Sequence, residues 1–284
     1  MSILLLDKEK DMTSFSAIKP AQKELGFSKV GHGGTLDPIA TGVLPIFFDQ
    51  STKFLQFFNS ENKSIYFIQR IIELVNLLNI NNLDLTDSEL IQYSDIPHYP
   101  RSTVEGHSGE MVIGRLMNKE IIIAKGRMHL YEGYSKETVV FPIHFLKECG
   151  IENLIITNSA GSLDKINPPG TIMAIVGHLD CTFQNSPKDP ELISDGKFHS
   201  PHLISIFKSV ANTNNIPFVT GNYCWTLGPM YETPAEIKYL RSLNGSAVGM
   251  STLPEIEEAG SMGLNVLTIS VLTNFGAGIS DQSL

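Results

Sequence analysis

The chain has 284 residues, 42% hydrophobic and 18% charged, with 21 Lys and Arg against 30 Asp and Glu for a formal charge of -9. That length suits one large α/β domain or two smaller ones with a substantial core, and the acidic balance argues against broad non-specific nucleic-acid binding. Three widely spaced cysteines, Cys149, Cys181 and Cys224, suggest neither a metal site nor a disulfide framework, and no apolar run reaches the roughly 18 residues of a membrane span, so the expectation is a cytoplasmic protein with reduced, buried thiols.

Residues 1–58 read as a compact α+β unit. Ile3, Leu4, Leu5 and Leu6 predict a short strand, and residues 14–25 predict a helix that Ser14 is placed to cap. From Val30 to Pro45 comes Val30-Gly31-His32-Gly33-Gly34-Thr35-Leu36-Asp37-Pro38, where bare backbone would let the Asp37 carboxylate approach a substrate closely. The same spelling equally suits an ordinary turn. With the lead-in Leu4-Leu5-Leu6-Asp7-Lys8 and Met12-Thr13-Ser14-Phe15, this segment resembles the amino terminus of the bacterial tRNA pseudouridine synthase B family. The resemblance implies that Asp37 stands where that family keeps its catalytic aspartate, which acts on a uridine flipped out of RNA. Gly33 replaces a residue that is usually threonine. Beyond an echo at Lys63 to Tyr66, neither the rest of that catalytic domain nor its RNA-binding tail is found.

Residues 59–90 hold a polar join, Asn59-Ser60-Glu61-Asn62, and then an apolar, asparagine-rich stretch in which 71–78 suits a helix or a strand. The boundary is set here, with an amino-terminal fragment over 1–69 and an α/β domain over 70–284. From Ile96 onward, strands over 121–125, 153–157, 171–179, 217–225, 247–249 and 266–273 alternate with helices over 137–149, 202–214, 234–243 and 254–263. Such alternation predicts a central sheet flanked by helices.

Ile121-Ile122-Ile123-Ala124 reads as a buried strand ending at Gly126, which sets the following polar residues at a strand's carboxyl end, where open α/β sheets build their sites. If the chain stays extended, Arg127, His129 and Tyr131 share one side while Met128 and Leu130 pack on the other. A guanidinium, an imidazole and a phenol together suit a phosphate beside a ring. A strand end with a salt-bridged Arg and a solvated His fits the same pattern. Thr157-Asn158-Ser159-Ala160-Gly161-Ser162 reads as a loop whose amides suit an anion nest or a plain turn. In Gly228-Pro229-Met230-Tyr231-Glu232-Thr233-Pro234-Ala235-Glu236, helix capping accounts for Thr233, Pro234 and Glu236 but leaves Tyr231 and Glu232 unexplained. Val248-Gly249-Met250-Ser251-Thr252 ends a short strand with a thioether and two hydroxyls.

Together with Ile96-Pro97-His98-Tyr99-Pro100-Arg101-Ser102-Thr103-Val104, these segments resemble the trimeric purine nucleoside phosphorylase family, including the methylthioadenosine phosphorylases, from about residue 96 to Gly278. The resemblance implies a nucleoside phosphorylase-like mixed sheet, phosphate as co-substrate, no cofactor or metal, and a homotrimer. It implies that Arg127, His129, Ser159 and His107, the last on a mobile loop, hold phosphate. Tyr131, Met250 and Ser251 would line the nucleoside, Tyr231 would stack on the purine, Glu232 would bind its N1 side and Asn274 would bond near N7. Catalysis would rest on Asn274, Glu232 and His129.

Two departures bear on activity. Where the family carries a glycine- and serine-rich phosphate loop, this chain reads Leu77-Leu78-Asn79-Ile80-Asn81-Asn82, and after Gly276-Ala277-Gly278-Ile279-Ser280 it reaches Leu284 where the family continues into a ribose-contacting histidine and a closing helix. The expectation is therefore phosphate-dependent cleavage of purine nucleosides, 6-oxopurines preferred, at impaired turnover. Its rivals are a tRNA pseudouridine synthase working through Asp37 and an inactive nucleoside-binding remnant of a fused gene.

Overall fold

The computed structural model describes residues 2–8, 11–26, 28–32, 42–48, 66–69, 85–101, 109–116, 119–184 and 188–280. At the amino terminus β1 (Ser2–Lys8), β2 (Val30–His32) and β3 (Gly42–Phe48) form an antiparallel sheet in the order β1-β3-β2. Helix α1 (Ser14–Leu25) corrects one expectation: Thr13 is the cap, its Oγ1 accepting the Ser16 amide at 3.1 Å, and Ser14 is a buried first-turn residue. Asp37 and Lys63 lie outside the described residues.

A second, mixed sheet holds β4 (Tyr66–Gln69), β5 (Thr86–Gln92), β6 (Glu110–Leu116), β7 (Lys119–Lys125), β8 (Asn153–Ser162), β9 (Ile172–Asp180), β10 (Phe218–Trp225), β11 (Ala247–Gly249) and β12 (Asn265–Phe275). Their order is β11-β10-β9-β12-β8-β4-β7-β6-β5. One more antiparallel pairing, Ala247 with Ser162 and Val248 with Gly161, joins β11 to β8 and closes β8, β12, β9, β10 and β11 into a ring. β7, β4, β8 and β12 run parallel, so their carboxyl ends emerge on one side. The segment 157–162, expected as a loop, is strand: β8 continues through it, paired with β12 up to Ser162.

The apolar run of β7 is explained by burial on both faces. Ile122 and Ala124 face a core shared with α2 (Lys136–Glu148) and α5 (Leu253–Ser261), through Val139, Ile143, Leu146, Ile256 and Ala259. Ile121 and Ile123 pack on the other side with Leu116 and Ile155. Helix α3 (Pro201–Thr213) lays Leu203 and Ile204 on β9 and β12, and α4 (Pro234–Ser242) lays Ile237 and Leu240 on Leu179 and Cys224. All three cysteines are buried and none forms a disulfide. No helix among the described residues is long and apolar enough to cross a membrane.

Candidate active site

Past Gly126 the chain is extended only as far as His129, and Leu130–Glu132 then form a single 3-10 turn. Arg127 is buried to 1% exposure, its Nε 2.9 Å from Oε2 of Glu255, in the geometry of an ion pair rather than a linear hydrogen bond. Its Nη1 donates to the Thr157 carbonyl at 3.0 Å and to Ser251 Oγ at 3.4 Å. The fork is thus fixed from β8 and from the start of α5, while Met128 beside it sits in the core. His129 is set by Glu132, whose Oε1 accepts both the His129 main-chain amide and its Nδ1 at 2.8 Å. An ionised carboxylate can only accept, so Nδ1 is the ring nitrogen that carries a proton towards Glu132. The imidazole stacks on Tyr131, with centroids 4.6 Å apart and planes 21° from parallel.

Two helix starts with the same spelling are used differently. Thr233-Pro234-Ala235-Glu236 forms a true capping box: Thr233 Oγ1 accepts the Glu236 amide and Glu236 accepts the Thr233 amide. Thr252-Leu253-Pro254-Glu255 does not, because Glu255 turns to Arg127 and the Thr252 hydroxyl accepts from Asn158 Nδ2 at 3.1 Å. Thr252 also carries φ of 81°, a conformation costly for a β-branched residue and typical of sites that the surrounding structure holds in place.

A cavity opens at the carboxyl ends of β8 and β12. Among its lining residues are His129, Tyr131, Ser159, Glu232, Ser251 and Asn274, with Tyr231 and Met250 also on its wall. Tyr231 is 69% exposed at its rim. Glu232 accepts the Thr226 hydroxyl on Oε1 at 2.6 Å. Asn274 follows an irregularity in the pairing of β12 with β8, accepts from Thr273 Oγ1 and donates to the Phe275 carbonyl, each at 3.1 Å. Gly228 has φ of 74°, and a Cβ there would meet Met250 Sδ at 2.5 Å, so a side chain at 228 would displace a cavity wall. Among the described residues there is no group of His, Cys, Asp and Glu suited to a metal ion.

Residues 81–284 match the Phosphorylase superfamily. The chain belongs to that family. Purine nucleoside phosphorylase 1 of Geobacillus stearothermophilus is 43% identical over 201 residues, 68% of this chain and 73% of the relative, and the Bos taurus purine nucleoside phosphorylase is 35% identical over 67% and 70%. The Schistosoma mansoni purine nucleoside phosphorylase solved with inosine superposes with a TM-score of 0.66 at 29% identity, covering 78% of this chain and 80% of that one. Residues 22–94 match the amino-terminal domain of the TruB family of pseudouridylate synthases.

The phosphorylase structure brings the predicted residues His129, Tyr131, Ser159, Tyr231, Glu232, Met250, Ser251 and Asn274 to one cavity. Arg127 stands one layer back, behind Ser251, and is salt-bridged as the plainer reading of its motif allowed. His129 is buried rather than solvated. His107 lies outside the described residues. Sequence reasoning passed over Glu132, Glu255 and Thr226. The first had a local signal three residues from His129; Glu255 was disguised by its capping-box spelling, and Thr226 by its place at a strand end.

Proposed function

We propose that this phosphorylase cleaves purine nucleosides with inorganic phosphate to free base and ribose 1-phosphate, 6-oxopurine nucleosides preferred, and that no metal or organic cofactor takes part. The observation that carries the reading is one cavity lined by both kinds of group the reaction needs. Phosphate must be held under the anomeric carbon while the ribosyl centre gains oxocarbenium character and the purine departs with negative charge. His129 and Ser159, with Arg127 behind them, are suited to the nucleophile, and His107 would join them. Tyr131, Met250 and Ser251 are suited to the nucleoside's ribose, and Tyr231 offers a ring face to the purine. Glu232 accepts the N1–H of a 6-oxopurine. Asn274 keeps a second amide hydrogen and a second lone pair for the ring near N7, so that leaving-group charge is met by hydrogen bonds.

The same reading makes the active form a cytoplasmic homotrimer, and divides the chain into an amino-terminal fragment over 1–69, whose last strand β4 completes the main sheet, and a phosphorylase domain over 70–284. Turnover is expected below that of relatives, because residues 77–82 hold no glycine where a phosphate loop would stand. Incubation with inosine should release hypoxanthine only when phosphate is present, as followed by chromatography. Failure to release it in phosphate would sink the reading.

A further inference from the structure

We infer that Thr226 is a positioning residue for purine recognition, acting through Glu232; the inference rests on the nucleoside phosphorylase reading above. Thr226 follows β10 directly and does not line the cavity. Its amide donates to the Gly249 carbonyl at 2.9 Å, which ties it to the end of β11. Its hydroxyl has one proton and two acceptors within range, Glu232 Oε1 at 2.6 Å and the Gly249 carbonyl at 3.4 Å, so the short bond to the carboxylate takes it.

Glu232 needs such a tether. It stands between the 69% exposed Tyr231 and the cap of α4, in a segment that contributes no strand pairing, and a glutamate left to itself has three side-chain torsions to order. Thr226 connects that carboxylate to the β10–β11 pair, the same pair that carries Met250 and Ser251 at its edge. A carboxylate has about four lone-pair sites, so accepting one hydroxyl leaves it able to receive a purine N1–H from a fixed direction. Valine has the shape of threonine and lacks the donor; serine keeps the donor.

Hypoxanthine and phosphate binding are to be measured by calorimetry for wild type, Thr226→Val, Thr226→Ser and Glu232→Gln. Thr226→Val should weaken hypoxanthine roughly tenfold, the loss of one hydrogen bond to a charged group, with Thr226→Ser within about threefold of wild type and phosphate affinity unchanged in both. In the Thr226→Val/Glu232→Gln double variant the two losses should not add. Equal hypoxanthine affinity of wild type and Thr226→Val overturns this inference and leaves the purine reading intact. Loss of phosphate affinity alongside hypoxanthine, without rescue by serine, would make Thr226 merely structural and overturn it too. A wild type that binds phosphate but no hypoxanthine overturns the purine reading and the inference with it.

Discussion

Arg127 has two duties that substitution can separate. It is the counterion of Glu255 in a pair buried to 1% exposure on both sides, and it backs the hydroxyl of Ser251 at the cavity. Arg127→Ala strands a buried carboxylate and should lower stability by about 3–5 kcal/mol in urea titration. In Arg127→Met/Glu255→Gln the stranded charge is gone, so most of that stability should return. Phosphate binding, read by calorimetry, should remain weaker by about 1.5–3 kcal/mol in both variants. Recovery of phosphate affinity in the double variant would remove Arg127 from the oxyanion site. The residues that face the cavity were legible because most sit in short motifs that resemble a known family's, and Asn274 was legible through that resemblance alone. Glu255 was not, because its partner stands 128 residues earlier and nothing local distinguishes it from a helix-start acid.

At the scale of elements, His178 on β9 and His199 at the entry to α3 meet Nδ1 to Nε2 at 2.9 Å, both buried. Burial and the neighbouring His199 hold His178 down to about 3, and burial holds His199 down to about 4. Both values lie below the ordinary 6.5, so as pH falls the unfolded chain takes up protons first. The pair's contribution is whole above pH 6.5 and is lost on the way down to 4 and then 3, by up to about 1.4 kcal/mol per pH unit for each histidine. Urea midpoints should therefore decline below pH 6.5, and the decline should flatten in His178→Gln/His199→Gln; parallel profiles would exclude the pair as its source. Most elements after residue 119 were legible because apolar runs buried on two faces leave little ambiguity. β8 was cut short at 157 because Ser159, Ala160 and Gly161 look like loop, and only pairing with β12 and β11 makes them strand. β5 opens on Thr86-Asp87-Ser88-Glu89, which owes its strand state to β6 beside it rather than to any pattern of its own.

The whole molecule carries two likenesses, over residues 22–94 and 81–284. We expect Asp37 to be catalytically idle, since flipping a uridine costs a few kcal/mol that binding to the RNA backbone must recover, and a net charge of -9 works against such binding. Chemical mapping of a tRNA transcript after incubation should show no new pseudouridine. One that appears with the wild type and vanishes in Asp37→Ala would make the amino-terminal fragment the functional half. Both likenesses were legible as motifs, whereas the way the chain joins them was not. β4 lies between β7 and β8 in the main sheet, yet residues 66–69 fall within the TruB match and before the phosphorylase match begins at 81. Such a position asks of its occupant an extended run without proline that can ladder to both neighbours and that is apolar enough for the middle of a sheet, and Tyr66-Phe67-Ile68 has that composition. For a gene, that makes the gap between β7 and β8 a permissive junction. A coding sequence joined upstream of residue 81 can complete the sheet with any segment of that kind.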